Sequence, residues 1–302
     1  MTVKGVLWDG SVKVVDVLRP YIRQGYILGK TVLAGITHIE RAVSLGMIPI
    51  EVGRILGSLG IVRVIDVGRD LDSNLIGKYF LLLPRYDSIG GVDFDGILTE
   101  YAVLPHNVLI PISEYYIQNP EVLVYAELSY IQDLIRYVKG KEVLILGCGP
   151  TSYVITKSIS KLCNAYIVCY HSHKFLQKIA EVGVYVANYD NVSKEYYDVV
   201  LVLTLSSYLI SRASKHVKDR GLILIPPTIP KQLTNLLCLN LITSNVRLKI
   251  LNYGDLNTSV NILKNDLGNL KNLISIVDDY DKALNSMFHF WRVIVVSKLL
   301  KT

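Results

Sequence analysis

Short hydrophobic stretches separated by glycine-containing turns dominate the first hundred residues. Stretches of this kind, rich in Val and Ile, are typical of strands, and turns such as Asp9-Gly10 and Gly90-Gly91 separate them. Because no helical period lies between the stretches, the pattern predicts an irregular β-barrel or sandwich rather than βαβ units. The predicted strands are 3–7, 12–17, 31–34, 60–67, 79–83 and 98–104.

The pattern changes after Pro111. Apolar residues recur at helical spacing over 121–138, and Val143-Leu144-Ile145-Leu146 is a continuous apolar run, typical of a strand buried on both faces. Strand then alternates with helix, which predicts a parallel, doubly wound sheet, and a tail from about residue 247 could return to the first domain. The further predicted strands are 165–170, 185–187, 199–205, 222–225 and 293–296, and the helices are 151–162, 175–181, 209–217 and 281–287.

A glycine turn joins the predicted strand at 143–146 to the helix that follows it. Its residues are Gly147-Cys148-Gly149-Pro150-Thr151-Ser152. Gly147 allows a tight turn, Gly149 lets the backbone approach a pyrophosphate, and the helix N-terminus offers unpaired N–H groups. Ser152 stands where a third small residue permits close helix–strand packing. The turn predicts a dinucleotide site; the alternative is a structural turn that binds nothing.

The strand predicted at 165–170 ends without the acidic residue that usually binds the ribose hydroxyls of NAD. Tyr170 stands there instead, and His171 and Lys174 could meet a 2′-phosphate. This favours NADP slightly over NAD. The alternative is that these residues form an ordinary exposed loop.

Composition and charge exclude several classes of protein. Hydrophobic residues make up 51% of the chain and charged residues 19%, so disorder is not expected. The apolar runs are shorter than the roughly 20 residues that span a bilayer, and 1–5 lack a signal-peptide core, so we expect a cytoplasmic protein without membrane contact. The net charge of +6 is not concentrated in a basic run, which argues against nucleic acid. Four cysteines without a C-x-x-C pair are expected as free, buried thiols.

Five segments match, in order, the motifs of one known family. Residues 35–40, Gly-Ile-Thr-His-Ile-Glu, look like G-x-C-x-[ST]-D, and residues 95–104 look like D-G-x-x-A-E-Y-x-x-V. Residues 56–68 are similar to G-H-E-x-x-G-x-V-x-x-V-G, 126–128 to A-E-P-L, and 140–152 to G-x-x-V leading into G-x-G-P-x-G. In these segments the chain resembles the zinc-type medium-chain alcohol dehydrogenases.

The resemblance implies an α/β chain with a GroES-like β-barrel catalytic domain over 1–112. A doubly wound, parallel-sheet Rossmann domain would bind the nucleotide over 113–248, and a return segment over 249–302 would complete the catalytic domain. The resemblance also implies an NADP or NAD cofactor, a small-molecule substrate and a homodimer or homotetramer.

The chain departs from this family at the zinc ligands. Thr37 stands where the family has a ligating Cys, and Ser58 stands where it has a ligating His. Of the three ligand positions, Glu127 alone keeps a usable donor, and one carboxylate cannot hold a catalytic zinc. The four-cysteine lobe of the structural zinc is also missing, because 83–95 is a short loop without Cys. We therefore expect no zinc.

We expect a zinc-independent, NAD(P)-dependent oxidoreductase that reduces quinones or enones. The resemblance implies this activity, because the zinc-free, quinone oxidoreductase-like branches of the same superfamily reduce such substrates. The alternative is a non-catalytic pseudoenzyme that keeps the fold as a nucleotide-binding or assembly module. Glu40 and Arg41 are expected on the surface. The candidate catalytic residues are Thr37, His38, Ser58 and Glu127, although His38 could be a plain loop histidine and Glu127 a helix acid.

Overall fold

The structure, a computed structural model, describes residues 2–169, 176–235, 237, 245–268 and 271–297. The chain divides into two compact units, one formed by 1–127 with 272–302 and the other by 128–271. These boundaries differ from the predicted ones at 112 and 248. Residues 113–127 belong to the first unit, and 249–271 belong to the second.

The strands are β1 (Thr2–Trp8), β2 (Val12–Leu18), β3 (Tyr26–Ile36), β4 (Arg54–Ile55), β5 (Leu59–Val67), β6 (Tyr79–Leu82), β7 (Tyr101–Pro105), β8 (Leu109–Ile112), β9 (Glu142–Leu146), β10 (Asn164–Cys169), β11 (Tyr185–Asn188), β12 (Tyr197–Val202), β13 (Val217–Ile225), β14 (Arg247–Ile250), β15 (Ile274–Val277) and β16 (Arg292–Val296). The helices are α1 (His38–Ser44), α2 (Val122–Glu127), α3 (Ile131–Val138), α4 (Pro150–Ile159), α5 (Leu176–Ala180), α6 (Ser207–Ser211), α7 (Leu256–Gly268) and α8 (Tyr280–Ser286). Within the described residues, no helix is long and apolar enough to cross a membrane.

The first unit is built on two sheets. A three-stranded sheet has the order β2-β1-β4, and a larger sheet has the order β15-β16-β3-β5-β6-β8, with β7 also paired to β3. β3 is almost wholly buried because β16, β5 and β7 all pair with it. The antiparallel registers set Val293 opposite Ile36 and Gly35 opposite Leu59. The residues that flank β16, β3 and β5 therefore meet at one end of the sheet.

The second unit contains a six-stranded sheet in which every pair is parallel, with the order β11-β10-β9-β12-β13-β14. Numbered from β9, the order is 3-2-1-4-5-6, the doubly wound order in which the strand sequence reverses beside the first strand. Four of the five residues of β9 are buried, as its continuous apolar run predicts. The turn after β9 lies at the point where such sheets bind ligands.

Two predicted helices are corrected. Residues 121–138 form α2 and α3 rather than one helix, because the chain turns at 128–130, where Ile131 N donates to Leu128 O. The helix predicted over 209–217 is replaced by the short α6, a 3₁₀ turn and the start of β13. α7 was not predicted, and its packing on α3 and α4 explains why 249–271 belong to the second unit.

His216 makes the stability of the second unit depend on pH. It is buried, and its Nδ1 lies 3.0 Å from Ser193 O. Burial lowers the pKa of His216 from its ordinary value of 6.5. As the pH falls below that value, the unfolded chain binds a proton that the folded chain does not, so stability is lost.

We expect this histidine to lower the free energy of unfolding by at most about 1.4 kcal/mol at about pH 5.5. The free energy of unfolding of His216→Gln, measured by urea titration at several pH values, should lack this part of the pH dependence seen in the unaltered protein. Equal pH slopes for the two proteins would contradict the assignment.

Candidate functional site

Thr37 and Ser58 meet because they flank neighbouring strands. Thr37 follows the end of β3 and caps α1, where its hydroxyl accepts from Ile39 N and the Glu40 side chain returns to Thr37 N. This reciprocal capping box fixes the Glu40 carboxylate beside the strand ends. Ser58 directly precedes β5, and its Oγ lies 3.5 Å from Thr37 Oγ1.

The Glu40 carboxylate accepts four hydrogen bonds from these two residues. Its Oε2 accepts from Thr37 N and Oγ1, each at 2.7 Å, and its Oε1 accepts from Ser58 N at 2.8 Å and Oγ at 2.7 Å. Thr37 and Ser58 are fully buried, and Glu40 is 3% exposed. The expectation that Glu40 lies on the surface is therefore wrong. Both hydroxyl protons are committed to an internal carboxylate.

Glu127 and Arg292 form a second buried group. Glu127 is the last residue of α2, and Arg292 is the first residue of β16. Arg292 Nε donates to Oε2 of Glu127 and Nη2 donates to Oε1, both at 2.7 Å, and the two side chains are only 2% and 1% exposed. This is the bidentate geometry in which guanidinium and carboxylate bind most specifically. Both carboxylate oxygens of Glu127 are thus engaged.

The donor set does not fit a metal ion. Among the described residues, no group of three or more His, Cys, Asp or Glu side chains could hold one. Of the three positions that resemble zinc ligands, Glu127 alone carries a carboxylate. The positively charged guanidinium of Arg292 binds both of its oxygens. A zinc ion there would have to displace Arg292 and leave it buried without its carboxylate, at a cost of several kcal/mol.

His38 links the buried groups to solvent. Its Nδ1 lies 3.6 Å from Oε1 of Glu127, and its side chain is 26% exposed. Of the four candidate catalytic residues, it is therefore the most exposed.

Arg41, on the same helix as His38, is half-buried and donates from Nη2 to Phe290 O and Trp291 O. Burial, with the nearby charge of Arg292, lowers the pKa of Arg41 to about 10.

In the first unit, the structure therefore brings Thr37 to Ser58 and His38 to Glu127, and Thr37 and His38 are neighbours in sequence. Sequence analysis missed Arg292, which holds Glu127. A usable signal existed, because Arg292 opens the apolar run Val293-Ile294-Val295-Val296, and a cation in a buried strand requires a partner.

The glycine turn in the second unit has the conformation that close backbone approach requires. Gly147 has φ +112°, and a Cβ there would lie 2.5 Å from Leu203 O, so glycine alone fits. Gly149 is extended, with φ −174°, and a Cβ there would meet nothing within 4 Å among the described residues. Pro150 begins α4, and Ser152 is 1% exposed and so packs inside the unit. As far as the described residues show, the space in front of Gly149 is open, beside the N-terminus of α4.

The other predicted nucleotide contacts cannot be placed. Tyr170, His171 and Lys174 lie outside the described residues.

Cys148 and Cys169, expected as free thiols, form a disulfide, which corrects that expectation. The reason is the parallel pairing of β9 with β10, which sets Leu146 opposite Val168 and brings the two Cα atoms to 5.4 Å.

The chain has the fold of alcohol dehydrogenases. Zinc-dependent alcohol dehydrogenase 2 from Streptococcus pneumonia matches 98% of this chain and 99% of its own, with a TM-score of 0.67 and 20% identity. Acetophenone reductase from Geotrichum candidum, in complex with NAD, matches 98% of this chain and 97% of its own, with a TM-score of 0.66 and 18% identity. For 2R,3R-butanediol dehydrogenase from Bacillus subtilis, the match covers 98% of this chain and 100% of its own, with a TM-score of 0.64 and 16% identity. No protein-family model and no curated protein matches the chain.

The donor geometry predicts that the protein binds no stoichiometric zinc. Protein purified without chelators or metal-affinity steps should contain well under one zinc per chain by elemental analysis. Its melting temperature should also not rise when zinc is added, because a ligand that does not bind the folded state cannot stabilise it. One tightly held zinc per chain would contradict this reading of the site.

Gly149→Val should abolish dinucleotide binding without unfolding the chain. The extended backbone accepts Val, and its side chain would fill open space in front of α4 rather than collide with described atoms. Calorimetric titration with NADPH measures the loss, and an unchanged melting temperature is the control. Unaltered NADPH affinity in a folded variant would place the site elsewhere.

Proposed function

We propose that the chain is an NAD(P)-dependent oxidoreductase that works without zinc. The observation that carries the proposal is the open glycine turn at the end of β9, in a parallel sheet of order 3-2-1-4-5-6. We assign the second unit as the Rossmann nucleotide-binding domain and the first as the GroES-like β-barrel catalytic domain completed by the returning tail. A nicotinamide nucleotide bound there would supply or accept a hydride.

The residues that would hold the nucleotide follow from the turn. Gly147 sets the turn, Gly149 leaves room for the pyrophosphate, and the N-terminus of α4 offers N–H groups and a partial positive charge. We assign a slight preference for NADP, because Tyr170 replaces the ribose-binding acid and His171 and Lys174 follow it in the sequence. Without an arginine to grip the 2′-phosphate, the selectivity should be small.

The first unit would supply the proton chemistry. Thr37 and Ser58 donate their hydroxyl hydrogens to Glu40, so we do not assign them contact with substrate. We assign His38 as the proton donor to the substrate oxygen. Glu127 faces its Nδ1 and would stabilise the protonated ring, and Nε2 is the atom that we assign to the substrate.

Arg292 acts through Glu127 as a positioning residue. Its two hydrogen bonds fix both carboxylate oxygens, so the carboxylate cannot rotate away from His38. The arrangement resembles other sites in which a buried acid orients a histidine that transfers a proton.

We infer the substrate class from the side chains at the zinc positions, which do not fit a Lewis-acidic metal. Zinc stabilises the alkoxide from which hydride leaves, and removing even one preorganised donor from an oxyanion site costs about 10²–10³ in rate. A quinone or an enone needs less help because it is already a good hydride acceptor. We therefore propose these acceptors, and we propose a cytoplasmic homodimer or homotetramer as the working form.

A second candidate is a pseudoenzyme that keeps the fold as a nucleotide-binding or assembly module. The observation that favours it is that Thr37, Ser58 and Glu127 are all engaged in buried internal contacts. Such a protein would bind nucleotide at the same turn and transfer no hydride.

NADPH oxidation against a panel of quinones, enones, aldehydes and alcohols tests the proposal. We expect turnover of a quinone or an enone and negligible oxidation of simple alcohols. His38→Gln should lower kcat about 10²–10³-fold, because the proton donor is lost, with the dissociation constant for NADPH unchanged. His106→Gln is the matched control, since His106 packs on Phe80 instead.

Efficient turnover of a simple alcohol would overturn the zinc-free mechanism. If the panel gives no activity although NADPH binds, the pseudoenzyme is correct. If neither NADPH nor NADH binds at millimolar concentration, both proposals fail.

A further inference from the structure

The glycine turn is covalently tied to the next strand. Cys148 lies between Gly147 and Gly149, and its disulfide partner Cys169 is the last residue of β10. Gly147 N also donates to Val168 O at 3.0 Å, so a hydrogen bond and a covalent bond connect the same two segments. The disulfide therefore joins the glycine turn, where a doubly wound sheet holds the pyrophosphate, to the carboxyl end of the second strand.

The two cysteine residues differ in exposure. Cys148 is half-buried, whereas Cys169 is 6% exposed. Of the two residues, Cys148 is therefore the more accessible to a thiol reagent from solvent. Cys163 is a useful contrast, because burial raises the pKa of its thiol to about 11 and makes it a poor nucleophile.

We propose that Cys148 and Cys169 form a thiol–disulfide exchange site that sets the affinity of the glycine turn for a dinucleotide, with the bonded form binding more tightly. The inference rests on the proposed nucleotide function and adds a covalent control of that site. The co-reactant is a dithiol in the reducing direction and a disulfide in the oxidising direction.

The exchange balances in two steps. A thiolate of the dithiol attacks Sγ of Cys148, the protein S–S bond breaks, and its electron pair leaves on Sγ of Cys169, which takes up a proton. The second thiolate then attacks the reagent's own sulfur in the mixed disulfide and releases the Cys148 thiolate, which is protonated. The dithiol is oxidised to a disulfide, and the cysteine pair is reduced to two thiols.

The direction of the effect follows from the geometry of the bonded form. In that form Gly147 keeps its left-handed conformation and no described residue fills the space before Gly149, so the turn is ready to receive a phosphate. Reduction leaves the hydrogen bond from Gly147 to Val168 but removes the covalent tie. The looser turn must then be ordered when nucleotide binds, which costs affinity.

The test begins with a count of thiols. The protein is unfolded in iodoacetamide without reductant, and we expect two of its four cysteines to be alkylated, with all four reacting after reduction. Peptide mapping should find Cys148 and Cys169 in the protected pair. Alkylation of all four without reductant would overturn the inference and leave the proposed nucleotide site standing.

NADPH titrations before and after reduction with dithiothreitol then test the coupling. We expect the dissociation constant to rise about 3- to 10-fold on reduction. Cys148→Ser and Cys169→Ser should show the raised value in both conditions, and Cys163→Ser, the control, should keep the redox difference. Because the unaltered protein is itself measured in both forms, a variant that fails to fold does not decide the result.

Equal or lower dissociation constants after reduction would overturn the inference, while NADPH binding itself would still support the proposed function. Failure of both forms to bind NADPH or NADH would overturn the two together. The thiol count separates these cases, since it reports the bond independently of nucleotide.

Discussion

Glu127 and Arg292 are charged, buried and 165 residues apart in sequence, and each requires the other. Moving two such charges out of water costs several kcal/mol per ion, which close bidentate geometry can offset. Glu127 is the last residue before the second unit, and Arg292 lies in the segment that returns to the first. The pair therefore ties the end of α2 to β16 and completes the first unit only when the tail is in place.

The same kind of internal pairing occurs in the Glu40 cluster. The positions that resemble zinc ligands are satisfied by neighbouring protein groups instead: Thr37 and Ser58 by Glu40, and Glu127 by Arg292. At Glu127, the negative charge that would attract a metal is already balanced by the guanidinium of Arg292. His38 stands at the edge of the group, with its Nδ1 3.6 Å from Oε1 of Glu127 and its side chain partly exposed.

Local features of this fold could be predicted from the sequence, and contacts between distant segments could not. The strands at 60–67 and 143–146 follow from hydrophobic patterning, and the turn at Gly147 follows from the need for glycine at positive φ. The burial of Glu40 depends on the register of β3 with β5, which no local pattern specifies. The pairing of Arg292 with Glu127 likewise depends on where the tail returns, although an arginine opening an apolar run indicated a buried partner. The Cys148–Cys169 bond was missed because it requires the parallel pairing of β9 with β10.

A double-mutant cycle on Glu127 and Arg292 tests the account most directly. Glu127→Leu, Arg292→Met and the double variant are compared with the unaltered protein by urea unfolding. Each single change leaves a buried charge without its partner and should cost about 3–5 kcal/mol, whereas the double change should cost much less than the sum. A coupling energy above about 2 kcal/mol is the predicted result, and additive effects of the two single changes would contradict the central role of this pair.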